Sequence, residues 1–494
     1  MADTEKTAEG AAAETLETND FEALLKQEFK PKSEAAEEAI QTAVGTLAEF
    51  ALRETTVISD DVVETINAMI AEIDQKLTDQ VNLILHNEKF QKLEGAWRGL
   101  HHLVNNAETG EYQKIKVFNV SKDELRKTLK RYKGTAWDQS PFFKKIYEEE
   151  YGQFGGNPFG CLVGDYHFDH SPMDCELLGE IAKTSAASFA PFIAGLSPTT
   201  LNMDSFQELS NPRDLKKIFD SPEYAAWNSM RDSMDSMYVG LAMPRFLARQ
   251  PYGAKTDPVE EFNFEEDTAG ADSNKYCWAN SCYAMATNIS QAFAEYGWCT
   301  QIRGIESGGM VTDLPTHTFP TDDGGVDMKC PTEIAISDRR EKELADCGFM
   351  PLIHKKSTDM AAFIGAQSLH KPREFDSDDA TATENLSSRL PYQFAVCRFA
   401  HYLKQIVRDK IGGFKERSDM EIWLNNWIGQ YVENNPAVAS DVDKARKPLA
   451  GAAVTVKEVE GNPGYYTSQF KLRPHYQLEG LDVELSLTSK LPAA

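Results

Sequence analysis

From residue 19 onward, apolar positions recur at helical spacing. Phe21, Leu24, Leu25 and Phe29 share one face of a short helix that Asn19 and Glu22 open and Pro31 stops. Isolated helices below about 12–15 residues rarely persist in water, so this helix needs a surface to lie on. Two surfaces are open to it: a groove on another protein, or its own domain. Ile40, Val44, Leu47 and Ala51 mark a second helical face. Asp61 and Glu64 then form a capping box ahead of Ile66, Met69, Ile70, Ile73, Leu77 and Ile84.

From about residue 112 the periods mix. Ile115 and Val117 alternate as a strand, and Ser121 with Glu124 caps a helix carrying Leu125 and Leu129. Ser140-Pro141, Ser171-Pro172 and Ser221-Pro222 each open a helix, because proline at the first helical position lacks only an N–H that would be unpaired anyway. Residues 159–163 and 192–196 are short apolar runs of buried-strand type. This alternation of strands and helices predicts an α/β region. Residues 251–274 and 372–383 are acidic and read as loops, 276–295 as helix, and 300–330 as loops with short strands. Residues 334–336 and 349–353 read as short apolar segments around a helix near Arg340–Leu344.

The last hundred residues change again. A helix is expected over 394–411, and Ser418 with Glu421 caps the next, which carries Met420, Trp423, Leu424, Trp427, Ile428 and Tyr431. Three strands finish the chain: Val454 and Val456 alternate in the first, and Tyr466, Phe470 and Leu472 share a face of the second. In the third, Leu481, Val483, Leu485 and Leu487 alternate strictly with polar residues, the pattern of a half-buried strand.

Composition narrows the possibilities. The 494 residues suffice for roughly three ordinary domains. No window approaches the run of about 18 apolar residues a membrane helix requires. Met1–Asp20 is acidic, with no basic or apolar segment of secretory type, which predicts a cytoplasmic protein that does not insert in a membrane. Net charge is −26, and no Lys/Arg cluster suited to nucleic-acid phosphates stands out. The charge serves solubility at high local concentration or attraction to basic partners. The eight cysteines contain no C-x-x-C pair, and the closest spacing is Cys277 to Cys282; free thiols in a reducing compartment are expected.

Candidate chemistry is sparse. The chain has no G-x-x-x-x-G-K-[ST], G-x-G-x-x-G, H-E-x-x-H or G-x-S-x-G. Asp165, His167, Asp169 and His170 could hold an ion only if the backbone curled them to one point; a strand-to-helix turn with polar caps is the alternative. His101-His102 suits a helix C-terminus, and Arg339-Arg340-Glu341 suits a local cap or a neighbouring chain. No catalytic, cofactor-binding or metal residues emerge, and no metal or nucleotide is expected.

Several strings, taken in order, resemble the large sheath subunit of type VI secretion systems (the TssC/VipB type). They include Trp97-Arg-Gly-Leu100, Gly164-Asp-Tyr166, Pro244-Arg-Phe-Leu-Ala-Arg249 with Pro251-Tyr-Gly253, and Gly297-Trp298 with Ile302-Arg-Gly304. Asp338-Arg-Arg-Glu341, Gly365-Ala-Gln-Ser368, Phe399-Ala-His-Tyr-Leu-Lys404, Leu472-Arg-Pro-His475 and Gln477-Leu-Glu-Gly-Leu-Asp482 continue the likeness to the C-terminus.

The resemblance implies a mixed α/β (α+β) fold of the contractile, phage-tail-sheath kind, with a helical N-terminal region and C-terminal strands that exchange between subunits. It implies pairing with a small sheath subunit (TssB/VipA type), helical stacking of copies around an inner tube protein (Hcp type) on a baseplate, and recycling by a AAA+ unfoldase (ClpV type). Carried onto this chain, Phe21, Leu24, Leu25 and Phe29 become the unfoldase-binding helix. Val454, Val456, Tyr466, Phe470, Leu472, Leu481, Val483, Leu485 and Leu487 become the strand-exchange sheet. The helix at 419–433, with Glu421, Asn425 and Asn426, becomes a tube-facing candidate. The expected organisation is an acidic arm at 1–18, helices at 19–110 with the recognition helix at 20–30, an α/β domain at 111–383, and C-terminal helices and sheet at 384–494. Two other readings remain: a sheath of another phage-tail-like particle, and an α/β enzyme.

Overall fold

The computed structural model describes residues 62–211, 214–268, 270, 272–321, 324–410, 417–458 and 466–477. The helix of Phe21, Leu24, Leu25 and Phe29 lies outside the described residues, as do the helix at 40–51 and the strand of Leu481, Val483, Leu485 and Leu487.

The chain divides into two compact units, residues 1–85 with 251–267, and residues 86–250 with 268–494. In the first, helix α1 (Val62–Leu85) is fastened to the long polar loop. The Asn82 carboxamide donates to the Glu265 carbonyl at 3.2 Å and accepts from the Asp267 amide at 3.0 Å.

The second unit is built on a six-stranded sheet. Strands β1 (Leu162–Phe168), β2 (Phe192–Leu196), β3 (Val239–Met243), β4 (Met310–Val311), β5 (Phe349–His354) and β6 (Ala361–Phe363) lie in the order β1-β2-β3-β5-β6-β4. The first four in that order are parallel, and β6 runs antiparallel to both its neighbours. Every residue of β2 and β3 is buried, as a parallel sheet covered on both faces requires. Alternation sorts their side chains. Phe192, Ala194 and Leu196 point into one core with Leu177, Leu178 and Ile181 of helix α4 (Pro172–Ser188). Ile193 and Ala242 point into the other, against Met285 and Ile289 of helix α5 (Ser281–Tyr296).

Three of the capping signals hold; Ser221 makes no side-chain cap, and Asp61 lies outside the described residues. Ser121 closes a full capping box on helix α3 (Lys122–Arg131), and Ser140 and Ser171 cap the helices that begin at Pro141 and Pro172. Helix α2 (Glu88–Asn105) starts at Asn87 and lies against α5.

Four expectations need correction. Ile115 and Val117 lie in no strand, because among the described residues no neighbour offers them a ladder. The strand expected at 159–163 begins at Leu162 and is only partly buried, since β1 is a sheet edge. The acidic stretch at 372–383 becomes helix α7 from Asp378 to Ser387; a carboxylate at a helix N-terminus is favourable there. Cys277 precedes a two-residue strand, and only Cys282 sits in α5.

Candidate functional site: a C-terminal hairpin clamped by a helix

Helices α8 (Leu390–Lys410) and α9 (Arg417–Gly429) enclose a third core with strand β7 (Leu449–Glu458) and strand β8 (Tyr466–Pro474). Phe399, Leu403, Leu424, Ile428, Val454 and Val456 are buried there, and Trp298 stacks on Phe399 at 4.3 Å. The helical spacing of Leu424 and Ile428 and the two-residue spacing of Val454 and Val456 bring these faces together. Ser418 lies inside the first turn of α9, one residue beyond its start, and does not cap it.

β7 and β8 form an antiparallel pair in which Val454 faces Phe470 and Val456 faces Ser468. The outer edge of β7 is occupied. Asn425 accepts from the Val454 amide and donates to the Val454 carbonyl, both at 2.9 Å, as a neighbouring strand would. Glu421 accepts from the Val456 amide at 3.0 Å. Further along, the Leu449 amide donates to Tyr431 and its carbonyl accepts from the Glu433 amide.

Of the three residues expected on a tube-facing surface, Glu421 and Asn425 turn onto β7 and are half-buried, and Asn426 is exposed. Polar side chains at helical spacing resemble a wet surface, but here they satisfy a strand edge.

The other edge is open. In an antiparallel pair, facing residues either exchange both hydrogen bonds or both turn away from each other. Because Val454 and Val456 turn away toward α9, Phe470 and Ser468 turn their N–H and C=O groups outward on the far side of β8. Among the described residues nothing bonds to them there. The chain beyond β8 is pinned to the body: Gln477 donates to the Thr300 carbonyl at 2.8 Å and accepts from Arg303 at 2.8 Å.

The remaining candidates are structural. Asp169 accepts from the Ser171 amide, and Asp174 accepts from the Asp169 amide and from Lys122, so the Asp165–His170 cluster forms the polar turn between β1 and α4. Burial, with Arg245 and Lys122 nearby, pulls His167 down to about 4. His102 packs against Phe246 with ring centroids 5.2 Å apart and the rings tilted by 55°. Arg339 and Arg340 pair with Glu343 on their own helix, α6 (Asp338–Asp346). All eight cysteines are free. Among the described residues no group of His, Cys, Asp and Glu is placed to hold a metal, and no helix is long and apolar enough to cross a membrane.

Residues 67–370 match the family described as EvpB/VC_A0108, tail sheath N-terminal domain, and residues 379–491 match its tail sheath gpW/gp25-like domain. The chain is 68% identical over 491 residues to the type VI secretion system sheath protein TssC1 of Pseudomonas aeruginosa, spanning 99% of this chain and 98% of that one. Two solved structures align more distantly. A chain of the anti-feeding prophage baseplate gives a TM-score of 0.39 at 10% identity, over 77% of this chain and 84% of that one. The prophage's contracted helical sheath gives 0.31 at 11%, over 63% and 66%.

The paired family matches and the 68% identical relative define a tail-sheath protein, a structural subunit and not an enzyme. Within that class the chain belongs to the VipB family, the large sheath subunits of type VI secretion systems. Such a subunit assembles with further copies of itself and with other components of the secretion system.

Proposed function

We propose that the chain pairs with the small sheath subunit and polymerises around the inner tube, and that contraction of the polymer drives the tube and its spike outward to deliver effectors. Neighbouring subunits are linked by strands added to the β7–β8 hairpin, at the outward edge of β8. The observation that carries this reading is the asymmetry of the hairpin: α9 closes the β7 edge, and among the described residues nothing pairs with the β8 edge. Sheet augmentation links chains through main-chain hydrogen bonds, which persist while the attached domains rotate. A sheath can then change its ring spacing without coming apart, switching between two packings of the same interfaces.

Deleting residues 450–494 should abolish tubes in electron micrographs of the chain co-expressed with its genomic neighbours. Val483→Asp, which charges the apolar face of the last strand pattern, should shorten or abolish them. Normal-length tubes that still contract with either change would refute the strand linkage.

The helix of Phe21, Leu24, Leu25 and Phe29 serves in this reading as the handle by which the unfoldase extracts contracted subunits. Its support is the apolar face at i, i+3 and i+4 beside an acidic arm. Replacing Leu24 and Leu25 with Asp should abolish unfoldase binding with tubes intact; loss of tubes instead would make the helix structural.

A further inference from the structure

Residues 114–119 carry the sequence pattern of a strand but lie in no sheet. The sequence Lys-Ile-Lys-Val-Phe alternates, the segment belongs to no helix, turn or strand, and the next residue is held: the Val120 carbonyl accepts from the Tyr166 hydroxyl at 2.7 Å. Yet among the described residues no backbone N–H or C=O of these six makes a hydrogen bond. Val117 and Phe118 are 69% and 55% exposed. An open strand edge with exposed apolar residues is what natural proteins usually shield.

The surroundings carry a charge unlike that of the whole chain. Between Lys114 and Lys133 lie eight Lys and Arg against two acids, a net +6 in a chain of −26. Lys116, Lys122 and Lys133 pair with acids of the same unit. Lys114, Lys127, Lys130 and Arg131 are exposed and form no ion pair among the described residues.

We propose that residues 114–119 are a docking strand, completed by an acidic, apolar-alternating β-strand of a second, different polypeptide in the assembly. Pairing with the same segment of a second copy would set lysines against lysines across the ladder, which is unfavourable. An acidic strand instead places its carboxylates near the four unpaired cations, while main-chain hydrogen bonds supply the attachment. This contact rests on the sheath reading only in needing an assembly, and is separate from the β8 edge.

The test is amide exchange of the full chain, alone and in the sheath assembly obtained by co-expression with its genomic neighbours. Residues 114–119 should exchange near the free-peptide rate alone and slow by on the order of 100-fold or more in the assembly. Carbodiimide should couple Lys114 to a carboxylate of a different polypeptide. Val117→Pro should leave the melting temperature of the free chain unchanged, since no ladder bond is lost, and should abolish the protection. Fast exchange in an intact assembly overturns the inference alone, as does coupling of Lys114 to a second copy of this chain. Protection that nuclease removes assigns the basic run to nucleic acid and also overturns it. Failure of the unaltered chain to assemble at all overturns the sheath reading, and this inference with it.

Discussion

The side-chain amide of Asn425 satisfies both backbone groups of Val454, its Oδ1 accepting from the amide and its Nδ2 donating to the carbonyl, each at 2.9 Å. A helix side chain thereby takes the place of a strand. Asn425→Ala leaves both groups without their partner in a half-buried setting, at a cost of about 1–3 kcal/mol for each group left unsatisfied. The expected outcome is a lower melting temperature together with faster exchange at the Val454 amide. An unchanged Val454 exchange rate would show that α9 does not close this edge.

The glycines of α2 mark the second prediction. Glycine inside a helix normally costs about 1 kcal/mol relative to alanine, so Gly→Ala is ordinarily stabilising. At Gly95 the order reverses, because a Cβ would lie 2.3 Å from the backbone carbonyl oxygen of Trp278, which cannot swing aside as a side chain can. Gly95→Ala should lower thermal stability by about 1–3 kcal/mol through overpacking. A rise in melting temperature would mean that α2 can move off its neighbours freely.

Acid should weaken the fold through His401, which is 2% exposed. Its Nε2 donates to the Ser188 carbonyl at 2.9 Å, so the proton of the neutral ring sits there, and the buried Nδ1 has no partner among the described residues. Burial first, and then the charges of Arg398 and Lys404, pull it down to about 4. The unfolded chain, titrating near 6.5, binds the extra proton first; stability is therefore full above about pH 6.5 and is lost as pH falls toward 4, by up to about 3 kcal/mol. His401→Gln should flatten the pH dependence of the melting temperature in that window. An unaltered slope would place the acid sensitivity elsewhere.

Much of this architecture was legible in the residues. The capping signals at Ser121, Ser140 and Ser171 hold because a cap is a local hydrogen bond that needs only its own turn. The buried run at 192–196 and the periodicity of Leu424 and Ile428 were legible for the same reason: pattern reports which face is covered. What covers it is a tertiary fact. Ile115 and Val117 alternate like any strand, and nothing in that alternation reveals that no strand among the described residues pairs with them. Glu421 and Asn425 look like surface polar residues until the strand that they cap, about thirty residues later, is in place. The basic run from Lys114 to Lys133 was visible as composition, and the overall charge of −26 obscured it.

The strand linkage can be tested with two proline substitutions one residue apart. Ser468 faces Val456, whose amide turns to Glu421, so the Ser468 amide turns outward, away from β7. Gln469 faces Thr455 and by alternation turns its amide inward, to the β7 ladder. Proline removes the N–H and fixes φ near the extended range, so its effect depends on which way the lost donor points. Gln469→Pro should damage the hairpin itself, lowering the melting temperature of the free chain. Ser468→Pro should leave the free chain's melting temperature nearly unchanged while removing the donor that an added strand requires, giving short tubes or none. Full-length tubes from Ser468→Pro, seen by electron microscopy beside an intact melting curve, would show that neighbouring subunits are not joined along β8.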